Sequence, residues 1–152
     1  MDVALAFIAG AKHANIGVCV SLDPIDDMRV PGRDDLARDA ELGFKVVHCD
    51  ELQQHGVEHV VQRIRERVGD NPLYLSIDID VLDPAHAPGT GTPEVAGISS
   101  REMVGILRGL QGLNLVAGDV VEVSPAYDHA EITSLAAATI AFEMINLIAC
   151  RS

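Results

Sequence analysis

The chain has 152 residues, of which 48% are hydrophobic, and this is enough for one domain with a sizeable core. A formal net charge of −12 argues against nucleic acid or an anionic membrane as a partner. Aromatic residues make up only 3% of the chain and there is no Trp, so we expect an aliphatic core, which suits layered α/β folds.

The cysteines and the N-terminal residues bear on the compartment of the protein. Cys19, Cys49 and Cys150 are odd in number, far apart and without a CxxC pair, which is typical of reduced thiols in a cytoplasmic protein. The apolar stretch 3–11 follows Asp2, which stands where a signal peptide carries positive charge, so we expect no signal peptide. We also expect no run that spans a membrane cleanly.

The first half of the chain alternates predicted strands and helices. Residues 15–21 predict a short buried strand, residues 34–42 a short helix, and residues 44–49 a second strand. Apolar residues recur at helical spacing over 57–68 and predict an amphipathic helix. Gly69 follows this helix and is expected to end it.

Residues 73–81 alternate in a way that predicts a strand with two aspartates on one face. Asp78 and Asp80 would have Cα atoms roughly 6–7 Å apart. Two ionised carboxylates at about 6 Å repel by roughly 3 kcal/mol at an effective dielectric constant near 20. The pair therefore needs a cation between the carboxylates, and carboxylate oxygen suits hard divalent ions, or it needs a retained proton. The alternative is one solvated aspartate and one that caps the turn before Pro84.

The second half of the chain continues the alternation of elements. Ser99 and Glu102 have the spacing of a capping box, which predicts a helix running to about Gly109. Residues 115–123 predict a fourth strand. Asp128 is expected to cap a last helix that is nearly all apolar.

This order of elements predicts an α/β fold, a three-layer αβα architecture with a mainly parallel sheet, as one unit over residues 1–152. In such sheets, ligands bind beyond the carboxyl ends of the strands. Asp78, Asp80 and Glu122 all lie at strand ends, so we expect three carboxylates to converge in a pocket that attracts cations. The alternative for Glu122 is a strand-end glutamate in water.

Residues 76–97 resemble a signature of the ureohydrolase family, which includes arginase, agmatinase and guanidinobutyrase. The residues that carry the resemblance are Ser76-Ile-Asp-Ile-Asp80, Pro84, Pro88-Gly89 and Gly97, with further similarity over 119–125 and 127–130, nearest to agmatinases. The resemblance implies the C-terminal half of an arginase-like fold and, in the complete family site, a binuclear manganese centre. It also implies that Asp78 bridges the metals, that Asp80 binds one of them, and that Glu122 contacts the substrate guanidinium.

The same resemblance limits the activity expected of this chain. The family's upstream ligand motifs, Gly-Gly-Asp-His and Asp-Ala-His-x-Asp, do not occur in the sequence, so only Asp78 and Asp80 stand for the metal ligands. The complete enzyme would hydrolyse a small cationic guanidino substrate to an amine and urea, and we expect this activity to be impaired here. The alternative is a non-catalytic metal-binding or interaction remnant of the same fold.

Two further patterns have simpler explanations than catalysis. His55 and His59 have the HxxEH spacing of inverted zinc peptidases, but the glycine between them weakens the helix, and we predict surface histidines. Ser124, Asp128 and His129 lie too close along the chain for a serine triad.

The resemblance also bears on the sheet and on self-association. It places the Asp78 strand beside the Glu122 strand and the strand 15–21 beside the strand 44–49, with a strand from outside this chain between the two pairs. We therefore expect the chain to close this gap by pairing the Asp78 strand with the strand 15–21, or to form a homo-oligomer, which the apolar last helix favours.

Overall fold

The computed structural model describes residues 4–11, 14–21, 45, 47 and 49–150. Among these residues, four strands form the sheet: β1 (Ala4–Ala11), β2 (Ala14–Ser21), β3 (Leu73–Asp78) and β4 (Leu115–Val121). The same described residues include three α-helices: α1 (Cys49–Val68), α2 (Ser100–Gly109) and α3 (Ile132–Ala149). Short 3₁₀ turns lie at Ile79–Val81, Pro125–Tyr127 and His129–Glu131.

The strand order is β2-β1-β3-β4, and the sheet is mixed. The strands β3 and β4 are parallel, with Asp78 opposite Val121, so the Asp78 and Glu122 strands lie side by side as expected. The strand β1 is antiparallel to both β2 and β3. The expected pairing of the Asp78 strand with the strand 15–21 is wrong, because the apolar segment β1 lies between them and gives each a backbone partner.

The helices cover one face of the β3–β4 pair. Leu75 and Ile77 on β3 are fully buried, whereas Tyr74, on the opposite face, is 36% exposed. The core that they join includes Val60, Ile64 and Val68 of α1, Ile106 and Leu107 of α2, and Ile140 and Met144 of α3. The described part of the chain is therefore a sheet with one helical layer, a partial three-layer α/β fold. The helix predicted over 34–42 lies outside the described residues.

The boundary of α2 follows the predicted capping box. Ser99 Oγ accepts a hydrogen bond from the backbone N–H of Glu102 at 3.2 Å, and Glu102 Oε2 accepts one from the backbone N–H of Ser99 at 2.7 Å. The two bonds satisfy backbone donors that the first helical turn leaves without intrahelical partners. The helix ends at Gly109, as predicted.

The helix α1 is longer than the sequence predicts. It starts at Cys49, and Gly56, at φ 80° and ψ 175°, separates a first segment from the predicted helix 57–68. Such a φ is in the region that glycine enters without steric cost. The strand predicted over 44–49 is wrong at its described positions, because Lys45 and Val47 lie outside any strand and Cys49 already belongs to α1.

The last helix is apolar on most of its surface. By length and composition, His129–Ala149 is apolar enough to cross a membrane, with a mean hydropathy of 1.7. The expectation that no segment of the chain is apolar enough to span a membrane is therefore wrong. Only 17% of its most apolar window is buried within the chain. Its charged residue Glu143 points inward and forms an ion pair with Arg108 of α2, with 2.6 Å between Nη2 and Oε1.

Candidate functional site

The two aspartates lie at the carboxyl end of β3, but not as alternating residues of one strand. The strand ends at Asp78, whose Oδ1 accepts a hydrogen bond from the backbone N–H of Asp80 at 3.2 Å and thereby caps the 3₁₀ turn Ile79–Val81. All three residues of this turn are buried, which a strand with one solvent-facing side does not allow. The predicted strand 73–81 is therefore three residues too long, because a side-chain cap replaces the ladder at its end.

The neighbourhood of Asp78 favours its protonated form. Burial of Asp78, a hydrogen bond between the two carboxyl groups and the nearby charges of Asp80 and Glu122 raise the pKa of Asp78 to about 7. Burial and like charge both disfavour the ionised form of a carboxyl group. The raised pKa means that a proton is retained on Asp78 to a higher pH than on a free carboxyl group, and it leaves both predicted alternatives, a proton or a metal ion, open.

Asp80 is the most enclosed member of the site, with 4% of its surface exposed. Its Oδ2 atom accepts a hydrogen bond from Thr92 Oγ at 2.5 Å. Its Oδ1 atom is buried and has no hydrogen-bond partner among the described residues. A buried carboxylate oxygen without a donor is costly unless a cation or a proton supplies the missing interaction.

Glu122 lies at the same edge of the sheet, directly after β4. The parallel register pairs Asp78 with Val121, so Glu122 follows one residue beyond this pair, and its charge contributes to the raised pKa of Asp78. Its backbone has φ 63°, an uncommon conformation for a residue other than glycine, and its side chain is exposed. Such conformations cluster at functional sites. The structure thus places Asp78, Asp80 and Glu122 at one edge of the sheet, but among the described residues no three such side chains are arranged to hold a metal ion.

The loop that carries Thr92 is anchored to the segment after β4. Thr90 forms a bridge with Val123, and the backbone N–H of Ser124 donates to Gly89 O at 2.8 Å. Gly89 packs so closely on Asp128 that a Cβ at position 89 would lie 2.6 Å from the Cβ of Asp128. The loop is therefore held at a fixed distance from the sheet, which positions Thr92 over Asp80.

The contact of Thr92 is the part of this site that the sequence did not predict. The prolines and glycines of the segment 88–93 indicate a stiff loop. No feature of this segment distinguishes Thr92 from Thr90 as the residue that contacts Asp80. Only the tertiary contact does so, because Thr92 reaches Asp80 whereas the hydroxyl of Thr90 is buried without a partner among the described residues.

The other patterns weighed from the sequence form no reactive group. His59 Nε2 lies 3.3 Å from Glu51 Oε2, and its ring centroid is 4.8 Å from that of His55, on the surface of α1. Asp128 accepts hydrogen bonds from the backbone N–H groups of Thr133 and Ser134, both at 2.8 Å, so its side chain caps the first turn of α3, although Glu131 and not Asp128 occupies the N-cap position.

Comparisons with known proteins identify the relatives of this chain. The model of the arginase family matches residues 5–146. An agmatinase from Photorhabdus laumondii is 48% identical over 130 residues, which are 86% of this chain and 42% of that protein. A solved structure of a hypothetical agmatinase from Burkholderia thailandensis is 50% identical, with a TM-score of 0.68, over 72% of this chain and 34% of that chain. The proclavaminate amidino hydrolase from Streptomyces clavuligerus is 47% identical, with a TM-score of 0.73, over 80% of this chain and 40% of that chain.

The match extends over nearly the whole of this chain but over less than half of its relatives. The chain spans 27% of one agmatinase-like relative from Schizosaccharomyces pombe and 42% of the Photorhabdus enzyme. This agrees with the prediction of half an arginase-like fold, and the matched residues 5–146 include Asp78, Asp80 and Glu122. By sequence and by fold, the chain belongs to the arginase family.

Proposed function

We propose that this chain provides the carboxylate part of the metal site in an agmatinase-type amidinohydrolase, which hydrolyses a guanidino compound to an amine and urea. The observation that carries the proposal is the enclosed Asp78–Asp80 pair, in which Asp80 Oδ1 is buried without a partner among the described residues. Similarity to proteins named agmatinases, at 48–50% identity, favours agmatine over arginine as the substrate.

The donor set at this edge fits a hard divalent cation, and we propose manganese. Carboxylate oxygens are the donors that such ions prefer. A cation beside Asp80 Oδ1 would supply the interaction that this atom lacks, and it would remove the need for a proton on Asp78. When bound, a divalent ion lowers the pKa of a coordinated water and polarises the substrate.

Four residues of the chain would bind the cation, orient its ligand and bind the substrate. Asp78 and Asp80 would hold the cation, and Thr92 holds the Asp80 carboxylate through the hydrogen bond to Oδ2. Glu122 would bind the guanidinium, since a planar cation with several N–H donors matches a carboxylate in charge and geometry. The exposed position of Glu122 keeps its carboxylate accessible to a substrate that arrives from solvent.

Two ligands leave most of the coordination sphere of a divalent ion to water. Among the described residues, no group of three or more His, Cys, Asp and Glu side chains is arranged to hold a metal ion. We therefore infer weak binding of one ion and little or no hydrolysis by this chain alone. A non-catalytic metal-binding module is the second candidate function, and the same observation favours it.

Titration calorimetry with manganese tests the proposed metal site. We expect one weak site that Asp78→Asn and Asp80→Asn both abolish. Asp70→Asn is the matched control, because Asp70 is an exposed carboxylate in the turn that precedes β3, at the opposite end of this strand. Binding that survives both substitutions, or the absence of any binding, would contradict the proposal. Tight binding of two ions would instead favour a complete working site.

Urea release tests the proposed reaction. The chain is incubated with manganese and agmatine, arginine or guanidinobutyrate, with the full-length Photorhabdus agmatinase as the positive control. We expect little urea from this chain, and any that forms should come fastest from agmatine and be lost in Glu122→Gln. A rate comparable to that of the full-length enzyme would contradict the inferred impairment. Urea from arginine alone would contradict the assignment to the agmatinase type.

A further inference from the structure

Two imidazole rings lie against each other on the surface of α1, and we call them the His55–His59 pair. The ring centroids are 4.8 Å apart, and the ring planes are inclined at 49°. The rings meet although Gly56, whose backbone is not helical, lies between the two residues. His55 is exposed and the side chain of His59 is 32% exposed, so an ion from solvent can reach both rings.

The separation of the two rings suits one shared metal ion. An imidazole nitrogen binds Zn²⁺ at about 2.0–2.1 Å, which places two ring centroids around one tetrahedral ion roughly 5 Å apart. The observed separation of 4.8 Å is close to this spacing. The pair can therefore take up an ion by rotation of the two side chains, without a change in the backbone of α1.

Glu51 holds one of the two rings in position. Its Oε2 atom lies 3.3 Å from His59 Nε2, and it also accepts a hydrogen bond from Arg63 Nη1 at 3.0 Å. When Nε2 of His59 carries the ring proton, the lone pair of Nδ1 is left for a metal ion. Metal-binding histidines usually have such a carboxylate partner, which fixes the ring and raises its basicity. The negative charge of Glu51 also offsets the positive charge of Arg63 beside the rings.

The donors of the pair select a different class of ion from the one proposed for Asp78 and Asp80. Imidazole suits Zn²⁺, Ni²⁺ and Cu²⁺, whereas carboxylate oxygen suits Mn²⁺ and other hard ions. The pair supplies two ligands, and water completes the coordination sphere, because no group of three such side chains in the described part of the chain is arranged to hold a metal ion. We therefore expect a site that prefers zinc to manganese.

We propose that the His55–His59 pair binds a zinc ion that joins the two segments of α1 on either side of Gly56. The first segment, 49–55, is short, and a helix of this length is marginal by itself. An ion bound by one residue from each segment would hold the two segments together. The cluster is polar and in contact with solvent, so it needs no further part of the fold to cover it. The proposal is independent of the proposed hydrolysis.

Titration calorimetry with zinc chloride tests the site on the full chain with Cys150→Ser, which removes an exposed thiol as a competing ligand. The zinc affinity should fall at least about tenfold in His55→Ala and in His59→Ala, because an orienting partner alone is worth roughly 10- to 100-fold. His129→Ala is the matched control, because His129 is exposed but lies outside α1. Absence of zinc binding, or an affinity that either α1 variant leaves unchanged, would overturn the proposal.

The variant Asp80→Asn separates this site from the carboxylate site. It should lose manganese binding and keep the zinc ion that depends on His55 and His59. If Asp80→Asn abolished zinc binding and His55→Ala did not, the ion would belong to the carboxylates and the proposal would be overturned. Failure of the proposed hydrolysis would leave the zinc titration unaffected, so the two proposals stand or fall separately.

Hydrogen exchange tests whether the ion joins the two segments of α1. Saturating zinc should slow the exchange of the backbone amides of 49–55, and His59→Ala should remove this protection. Glu51→Ala should weaken zinc binding by about tenfold without abolishing it, since Glu51 orients a ligand. Circular dichroism without zinc should show the same helix content in all variants, because the substituted side chains lie on the surface. Exchange rates that zinc leaves unchanged would overturn the joining of the segments.

Discussion

Thr92 donates its hydroxyl hydrogen to Asp80 Oδ2 across 2.5 Å, and this bond joins the loop after β3 to the carboxylate at the centre of the proposed metal site. The bond fixes one oxygen of Asp80, while the other is buried without a partner among the described residues. Thr92 therefore acts on the proposed metal through the orientation of Asp80. Groups that orient metal ligands in this way are worth roughly 10- to 100-fold in metal affinity.

Replacing Thr92 by valine should weaken manganese binding by about tenfold, because the Asp80 carboxylate loses its orienting donor. Thr92→Ser, which keeps the hydroxyl, should restore most of the affinity. The dissociation constant from titration calorimetry gives the comparison. Equal affinities for Thr92→Val and the wild type would show that the hydroxyl does not orient Asp80.

A methyl group at position 97 should destabilise the fold close to the site. The Cβ of Gly97→Ala would lie 2.6 Å from the backbone N of Asp83 and 2.7 Å from Val81 O, and backbone atoms move aside less readily than side chains. We expect a loss of about 1–3 kcal/mol in the free energy of unfolding. Gly91→Ala is the control, because its Cβ would meet nothing within 4 Å. Urea denaturation measures both, and equal stabilities would contradict the close approach at Gly97.

The stability of the start of α3 should depend on pH through Asp128. Burial tends to raise the pKa of this carboxyl, but hydrogen bonds from Ser134 and Thr133 outweigh it and lower the pKa to about 2, from 3.8. A lowered pKa means that the folded chain binds the proton less tightly than the unfolded chain. The stabilisation is therefore complete above about pH 4 and is lost as the pH falls through 2.

Thermal unfolding at a series of pH values measures this dependence. Asp128→Asn should be less stable than the wild type at neutral pH and should lose less stability between pH 4 and pH 2, the window set by 3.8 and about 2. Ser134→Ala removes the 2.6 Å hydrogen bond from Ser134 Oγ to Asp128 but keeps the backbone donors. Its loss of stability between pH 4 and pH 2 should therefore lie between those of the wild type and Asp128→Asn. Parallel profiles for the wild type and Asp128→Asn would rule out the capping role.

Removing Arg108 alone should destabilise the fold more than removing both partners of the ion pair between α2 and α3. Glu143 is 9% exposed, and Arg108 donates to its Oε1 from both Nε and Nη2. Arg108→Met leaves a largely buried carboxylate without its cation and should lower the melting temperature. Adding Glu143→Met removes the stranded charge and should recover most of the loss. A double variant less stable than Arg108→Met would contradict this account.

Local sequence signals predicted the elements whose ends are set by neighbouring residues. The capping box of Ser99 and Glu102 predicted the start of α2, because the interactions that start this helix lie within three residues of each other. The same reasoning was wrong at the end of β3. There the side chain of Asp78 accepts a hydrogen bond from the backbone N–H of Asp80 and ends the strand. The apolar alternation, which continues through Val81, does not indicate such a cap.

The sequence predicted which carboxylates lie at one edge of the sheet but not how the strands around them pair. Asp78, Asp80 and Glu122 share this edge because parallel strands bring their carboxyl ends to one side of the sheet. The pairing of β1 with β3 joins Leu5 to Ile77, and no local pattern specifies a partner so far along the chain. The contact between Thr92 and Asp80 likewise depends on where the loop is anchored.

The position of β1 has a consequence for the order in which the chain folds. The strands β1 and β2 form a hairpin of neighbouring residues, a contact that closes in microseconds because little loop entropy is lost. The strand that ends at Asp78 finds β1 only across a much longer stretch of chain, and such long-range pairings form late. The hairpin would then be complete before the edge that carries Asp78, Asp80 and Glu122 is assembled, so these carboxylates would reach their final positions only in the last folding steps.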